Sequence, residues 1–229
     1  MGVARNVGKQ AARQLAPRIT EVAPGLTTGF VRQALTRAID GVGPLPGAAA
    51  AADKQLAEQQ GDVDRAVREV VENHVSYAGM QGLLTNLGGL VTMTVTVPAN
   101  ITGLTLLQCR MVAGIAHLRG YDLADPRVRN AILVTILGED RINEALKKKQ
   151  IPAPPMALAT APAHLPALDA TIATAVAGEL IGRVAGRRVA TTVGRRVPLL
   201  GGVVGLSADA WATWRIGRYA KREWLPRPR

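Results

Sequence analysis

The sequence is short of the residues from which most catalytic and metal sites are built. It has one cysteine, Cys109, and three histidines, His74, His117 and His164, in 229 residues. A lone cysteine excludes an intramolecular disulfide and fits a reducing compartment. Three scattered histidines and one thiol offer no zinc ligand set, and neither a metal nor a cofactor is expected. G-x-x-x-x-G-K, G-x-S-x-G, H-E-x-x-H and C-x-x-C are all missing. Gly205-Leu206-Ser207 opens like a nucleophile elbow, but Asp209 stands where the second glycine is needed. No catalytic residue follows from these motifs. Aromatic residues make up 3% of the chain and phenylalanine occurs once. The core must therefore be Leu, Val, Ile and Ala, with closely approaching helices.

Charge is also missing where it would be expected. Between His74 and Arg110 there is no charged side chain. The run is long enough to cross a bilayer, yet a spanning helix needs ~20 mostly apolar residues in succession. Here eleven of the 35 residues 75–109 are Ser, Thr, Asn or Gln. Gly79, Gly82, Gly88, Gly89 and Gly103 thin the run further and Pro98 interrupts it. The pattern predicts a charge-poor hairpin of two helical pieces meeting near Gly88–Pro98. Val91, Met93, Val95 and Val97 alternate with threonines as a strand would. No second strand is in sight to pair with it, so a helical or irregular connection is expected there.

The positive charge is concentrated at the far end. Residues 183–229 carry eleven basic and two acidic groups, whereas residues 41–182 carry eleven basic and thirteen acidic. Residues 1–40 carry six basic and two acidic. A cationic end points to phosphate-bearing partners, either anionic lipid or nucleic acid. Arg5, Lys9, Arg13 and Arg18 break any signal-peptide core, and Asn6 misses the myristoylation pattern. The expected place is the cytoplasm, peripheral on the inner face of the cell membrane.

Residues 4–22 read as a basic amphipathic helix and Thr28–Asp40 as a second, giving an N-terminal arm over 1–41. GVGPLPGAAAAA begins a linker with a short helix over 42–61, and the main helical domain takes 62–229. Within it, Ala66, Val67, Val70 and Val71 make an apolar stripe that runs on to about Leu87. His74 ends the charged part as a surface or cap residue. A helix from Pro98 ends at Gly120, and Asp125-Pro126 is an N-cap and N1 pair for the next, to Leu137. Glu139–Lys149 places its acids first and its lysines last, as the helix dipole prefers. Residues 166–196 form a long small-residue helix, and a last helix runs from Ser207 to Trp224. The fold class is all-α, one domain of about seven helices.

The charge-poor AGMQGLLTNLGGL, the following VPANITGLTLLQCRMVAGIAHLRGYDLADPRVRNAILVTILGED and the terminal GGVVGLSADAWATWRIGRYAKREWLP together resemble the EcsC protein family in its short bacterial form. The resemblance covers Asp62 to Pro226. The family's namesake is encoded beside an ABC transporter, and the resemblance implies no agreed activity and no catalytic residue.

These readings converge on a membrane-associated, non-catalytic protein that binds anionic lipid, a membrane-protein partner, or both. The lipid-contact candidates are Arg187, Arg188, Arg195, Arg196, Trp211, Arg215, Arg218 and Arg222. At 100° per residue Arg215, Arg218 and Arg222 share a face with Trp211, opposite Leu206, Ala210, Trp214, Gly217, Ala220 and Trp224. Three rivals remain open. The basic tail could bind nucleic acid, although aromatics for stacking are few. Residues 82–118 could form an integral hairpin. Asp122, Asp125, Glu139 and Asp140 could form the carboxylate site of a hydrolase-type enzyme, against which stands their place at helix N-termini. His117 and Cys109 read as packed residues.

Overall fold

A computed structural model describes residues 24–87, 99–194 and 200–227. It is all-α, as expected, with nine helices among the described residues and one two-residue-per-strand hairpin. The helices are α1 (Pro24–Asp40), α2 (Ala48–Glu58), α3 (Val63–Leu87), α4 (Ala99–Leu118), α5 (Pro126–Thr135), α6 (Glu139–Lys147), α7 (Pro155–Ala159), α8 (Pro166–Gly194) and α9 (Leu200–Glu223). The basic helix expected over 4–22, the Gly88–Pro98 junction with Gly89, and Arg195 and Arg196 lie outside the described residues. Gly82 falls within α3, and Arg187 and Arg188 within α8.

The stretch from Gly41 to Ala52 carries more structure than a linker. Gly41–Val42 and Leu45–Pro46 pair antiparallel, Gly41 with Pro46 and Val42 with Leu45. Gly41 sits at φ +95, and a Cβ there would lie 2.6 Å from the Leu45 carbonyl oxygen, so only glycine fits. The alanine run then starts α2, because alanine is the best helix former. Its Ala48 and Ala52 are buried. Beyond the proline-rich residues 151–154 the chain makes one short helix, α7, with Pro155 in its first turn.

α4 explains the charge-free run. Cys109, Met111, Val112, Ala113, Ile115, Ala116 and Leu118 are all buried, so the helix is enclosed over its second half. It packs against α1, α2, α3 and α9. Phe30, Val31, Leu35 and Ala38 of α1 join the same buried cluster as the α3 stripe Ala66, Val67, Val70 and Val71.

α9 packs chiefly on α3, and glycine makes the approach possible. A Cβ at Gly217 would stand 2.6 Å from Val71 Cγ1 and 3.3 Å from Met111 Sδ. Val71 is stiff at χ1 and cannot swing aside. Gly217→Ala should therefore cost about 1–3 kcal/mol by overpacking. At Gly114 of α4 the nearest neighbour, Val70 Cγ1, would be 3.5 Å from a new Cβ, an ordinary contact. Gly114→Ala should be neutral or stabilising by up to about 1 kcal/mol through helix propensity. Thermal denaturation of the two variants should give shifts of opposite direction or clearly different size. Equal losses would mean that α9 does not approach α3 as closely as described.

After Glu223 the chain folds back as a strap. The Tyr121 hydroxyl donates to the Leu225 carbonyl at 2.9 Å, and the Arg227 N–H donates to the Arg119 carbonyl at 2.9 Å. Trp224 is fully buried, stands edge-on to Tyr121 at 4.9 Å, and donates from Nε1 to Thr135 Oγ1 at 3.2 Å. Gly120, at φ +86, turns the chain directly under Arg227, 3.1 Å from its carbonyl oxygen if it carried a Cβ.

Candidate functional site

The four carboxylates that bracket α5 do not come together. Asp122 and Asp125 belong to one hollow, and Glu139 and Asp140 to another. Asp122 accepts from the Ala124 N–H at 2.8 Å in a tight local turn. Asp125 is the N-cap of α5, with Pro126 at N1, and accepts the Arg127 N–H at 2.8 Å. Its carboxylate also takes the Arg127 guanidinium at 2.6 Å. That bond, with the backbone N–H, holds the Asp125 carboxyl below the usual range against the opposing effect of partial burial.

The first hollow is a wide, shallow depression lined by Asp122, Asp125, Arg127 and His164 among others. His164 Nε2 lies 2.7 Å from Asp169 Oδ1, and Asp169 also accepts from Asn130 Nδ2 at 2.7 Å and faces Arg32 at 3.5 Å. Burial pushes the Asp169 carboxyl up, but these partners outweigh it and leave the group below its ordinary value. A histidine held by a carboxylate is the orienting half of a general-base pair. The lining of this hollow carries no hydroxyl or thiol for it to activate. Among the described residues, no group of three or more His, Cys, Asp or Glu is placed to hold a metal ion.

The second site joins α6 to α9. Asp140 takes the Arg215 guanidinium at 2.6 Å, and Glu139 takes that of Arg222. Arg141 reaches both Glu144 at 2.9 Å and Glu179 of α8 at 3.1 Å. Two of the three arginines on the outer face of α9 are thus already paired within the chain. The same face carries two exposed indoles, Trp211 at 58% and Trp214 at 41%. Arg215 lies over the Trp211 ring and Arg218 over the Trp214 ring, each 4.8 Å from the centroid. The placement of Trp214 on the inner face is corrected: Thr213, Ile216, Gly217, Ala220 and Trp224 occupy that face, and Trp214 points out. The signal for the stacks lay in the sequence, where Trp211 and Trp214 each precede an arginine by four residues, one helical turn.

His74 and Cys109 are both buried. His74 is not at the surface, contrary to expectation. Its ring is buried against the stem of its own helix, with Nδ1 2.7 Å from the Val70 carbonyl. Burial lowers its pKa to about 4, the bond to Val70 opposing and Arg110 adding to the shift. His117 Nε2 pairs with Asp53 of α2 at 2.8 Å. Cys109 is buried and its thiol is pushed up to about 12, so it is inert at neutral pH.

His74 and Asp125 each give a pH dependence of definite sign. His74 enters the fold neutral, so its contribution is complete above about 6.5 and is lost as pH falls towards about 4. The depressed Asp125 contributes above the ordinary carboxylate range and loses its share only below it. Thermal melts should therefore show stability declining from about pH 6.5. His74→Leu should flatten the limb between pH 6.5 and 4, leaving the more acidic limb in place. Asp125→Ala should cost about 1 kcal/mol at pH 7 through the lost cap, and less at pH 3.

A model of the EcsC protein family matches residues 9–227. No curated protein and no solved structure gives a match.

Proposed function

The chain belongs to the EcsC protein family, and from that premise we propose that it binds anionic membrane surfaces as a peripheral, non-catalytic protein of the cytoplasmic face, alone or beside a membrane-protein partner. The observation that carries this reading is the outer face of α9. Its inner face is packed, yet Trp211 and Trp214 stay exposed, each stacked under an arginine one turn on. Indoles settle at headgroup level, and guanidinium groups hold phosphates there. Each stacked arginine also covers a ring face that a nucleotide base would need, which favours lipid over nucleic acid. Among the described residues no helix is long and apolar enough to cross a membrane, so surface attachment is the mode proposed for them. Asp125, Asp122, Glu139 and Asp140 are engaged as a cap, a turn and ion pairs, which supports a binding role.

Sedimentation with vesicles of phosphatidylglycerol in phosphatidylcholine tests this. The chain should pellet with them at low salt, release as salt is raised, and shift its tryptophan emission to the blue. Trp211→Ala with Trp214→Ala should weaken binding by about tenfold or more. Equal binding to pure phosphatidylcholine would remove the electrostatic part of the proposal. Failure to bind vesicles, alongside tight salt-sensitive binding to RNA, would assign the helix to nucleic acid instead.

A further inference from the structure

α9 carries two Trp–Arg stripes side by side, and they differ in what holds their cations. Trp211, Arg215 and Arg222 stand at i, i+4 and i+11, on the edge nearest α6. Both arginines of that stripe are ion-paired, with Asp140 and Glu139. Trp214, Arg218 and Lys221 stand at i, i+4 and i+7, on the next edge. Neither cation of this second stripe has a carboxylate partner among the described residues. Those residues hold all but one of the chain's 17 acids, Glu21 being the exception. The last turn itself accounts for a cation at Lys221, because the helix dipole is negative there. The dipole attracts that charge without covering it.

Arg218 and Lys221 are three residues apart, so their side chains are neighbours on the helix surface. Two like charges at that spacing repel, and an anion set between them relieves the repulsion. The Arg218 guanidinium lies over the Trp214 ring, 4.8 Å from its centroid. A stacked guanidinium keeps its N–H donors at its rim, where they form a fork for two phosphate oxygens. Lys221 meets the same phosphate as a point charge. Trp214 is 41% exposed and supplies an apolar wall of the kind that settles at headgroup level. The stripe is the outward side of a helix and not an enclosed pocket, so it suits a sheet of headgroups better than a single small anion. A second copy of the chain fits less well, because the net charge of +11 opposes the approach of like to like.

We infer that Trp214, Arg218 and Lys221 form the phosphate-holding site of α9 and take the phosphodiester of an anionic lipid headgroup. This rests on the reading of α9 as a lipid-binding helix and names the residues that make first contact while α6 still holds Arg215 and Arg222. It also adds Lys221 to that surface.

The test compares two charge-matched double variants of the full chain by sedimentation with vesicles of phosphatidylglycerol in phosphatidylcholine at low salt. Arg218→Gln with Lys221→Gln should weaken binding by about 10–30-fold. Arg37→Gln with Lys54→Gln, exposed cations of α1 and α2, should weaken it by about twofold or less. Circular dichroism should show both variants folded, since exposed charges contribute little to stability. Glycerol phosphate should displace the chain from the vesicles no better than sodium chloride of the same ionic strength. Equal losses in the two variants would reduce the site to general attraction and overturn the inference. Undiminished binding by Arg218→Gln with Lys221→Gln, beside lost binding by Trp211→Ala with Trp214→Ala, would overturn it and leave the reading of α9 standing. If the unaltered chain binds no vesicles, both fall. Specific displacement by glycerol phosphate would overturn the inference in favour of a soluble anion. A dimer of the unaltered chain that the Arg218 and Lys221 substitutions dissolve would overturn it in favour of self-association.

Discussion

Trp224→Ala should lower the stability of the folded chain by about 3–5 kcal/mol, the range for removing a large aromatic side chain from a packed core. For a chain of this size that corresponds to a fall in Tm of roughly 6–20 °C. The indole is fully buried and holds three parts of the molecule together. It meets Tyr121 edge-on at 4.9 Å, bonds Thr135 of α5, and anchors the turn from α9 into the strap. Thr135 Oγ1 already donates to the Ala131 carbonyl, so losing the indole N–H leaves no orphaned donor there. Trp224→Phe should accordingly cost far less, about 1 kcal/mol for the bond plus the smaller ring. Chemical denaturation monitored by circular dichroism separates these outcomes. A loss under 1 kcal/mol for the alanine variant would show that the strap unfolds independently of the bundle.

Joint replacement Glu139→Gln and Asp140→Asn should raise affinity for phosphatidylglycerol vesicles by about 10–30-fold at low salt. These two carboxylates occupy Arg222 and Arg215, the arginines that would otherwise meet phosphates. Removing them frees both guanidinium groups and adds two positive charges near the surface, each contributing ~1 kcal/mol there. The gain should shrink as salt screens it. The fold should hold, because exposed ion pairs contribute little to stability. Unchanged affinity in the well-folded double variant would mean that the α9 arginines do not face lipid.

Local periodicity made much of the fold legible. The Ala66–Val71 stripe, the Asp125-Pro126 cap and the long small-residue helix that starts at Pro166 lie where spacing and capping chemistry place them. Those signals act within one turn or one helix face. Residues whose surroundings come from distant segments were harder to read. Trp214 lies only about 60° from Gly217 around the helix, so sequence alone could not decide which side of the packing edge it takes. His74 looked like a surface residue because its neighbours on one face are charged, yet its own face is covered. The pairing of Arg215 and Arg222 with Asp140 and Glu139 joins helices far apart in the chain, and no local spacing announces it. The short helix expected within 42–61 is Ala48–Glu58, where alanine propensity and the burial of Ala48 and Ala52 act together, while the Gly- and Pro-rich residues before it hid the small hairpin of Gly41–Pro46.

The pairing of α9 with α3 also sets a timetable for synthesis. Val71 leaves the ribosome far ahead of Gly217, the residue that covers it. At ordinary elongation rates the gap is about 7–30 s, long compared with helix formation or collapse. During that interval α4 can shield Val70, which faces Gly114, but the contact of Val71 with Gly217 is not yet made. The nascent chain therefore displays Val71 to whatever is nearby, and the contact that covers it natively is a long-range one. Any factor that covers Val71 during translation, chaperone or membrane surface alike, competes with the protein's own last helix.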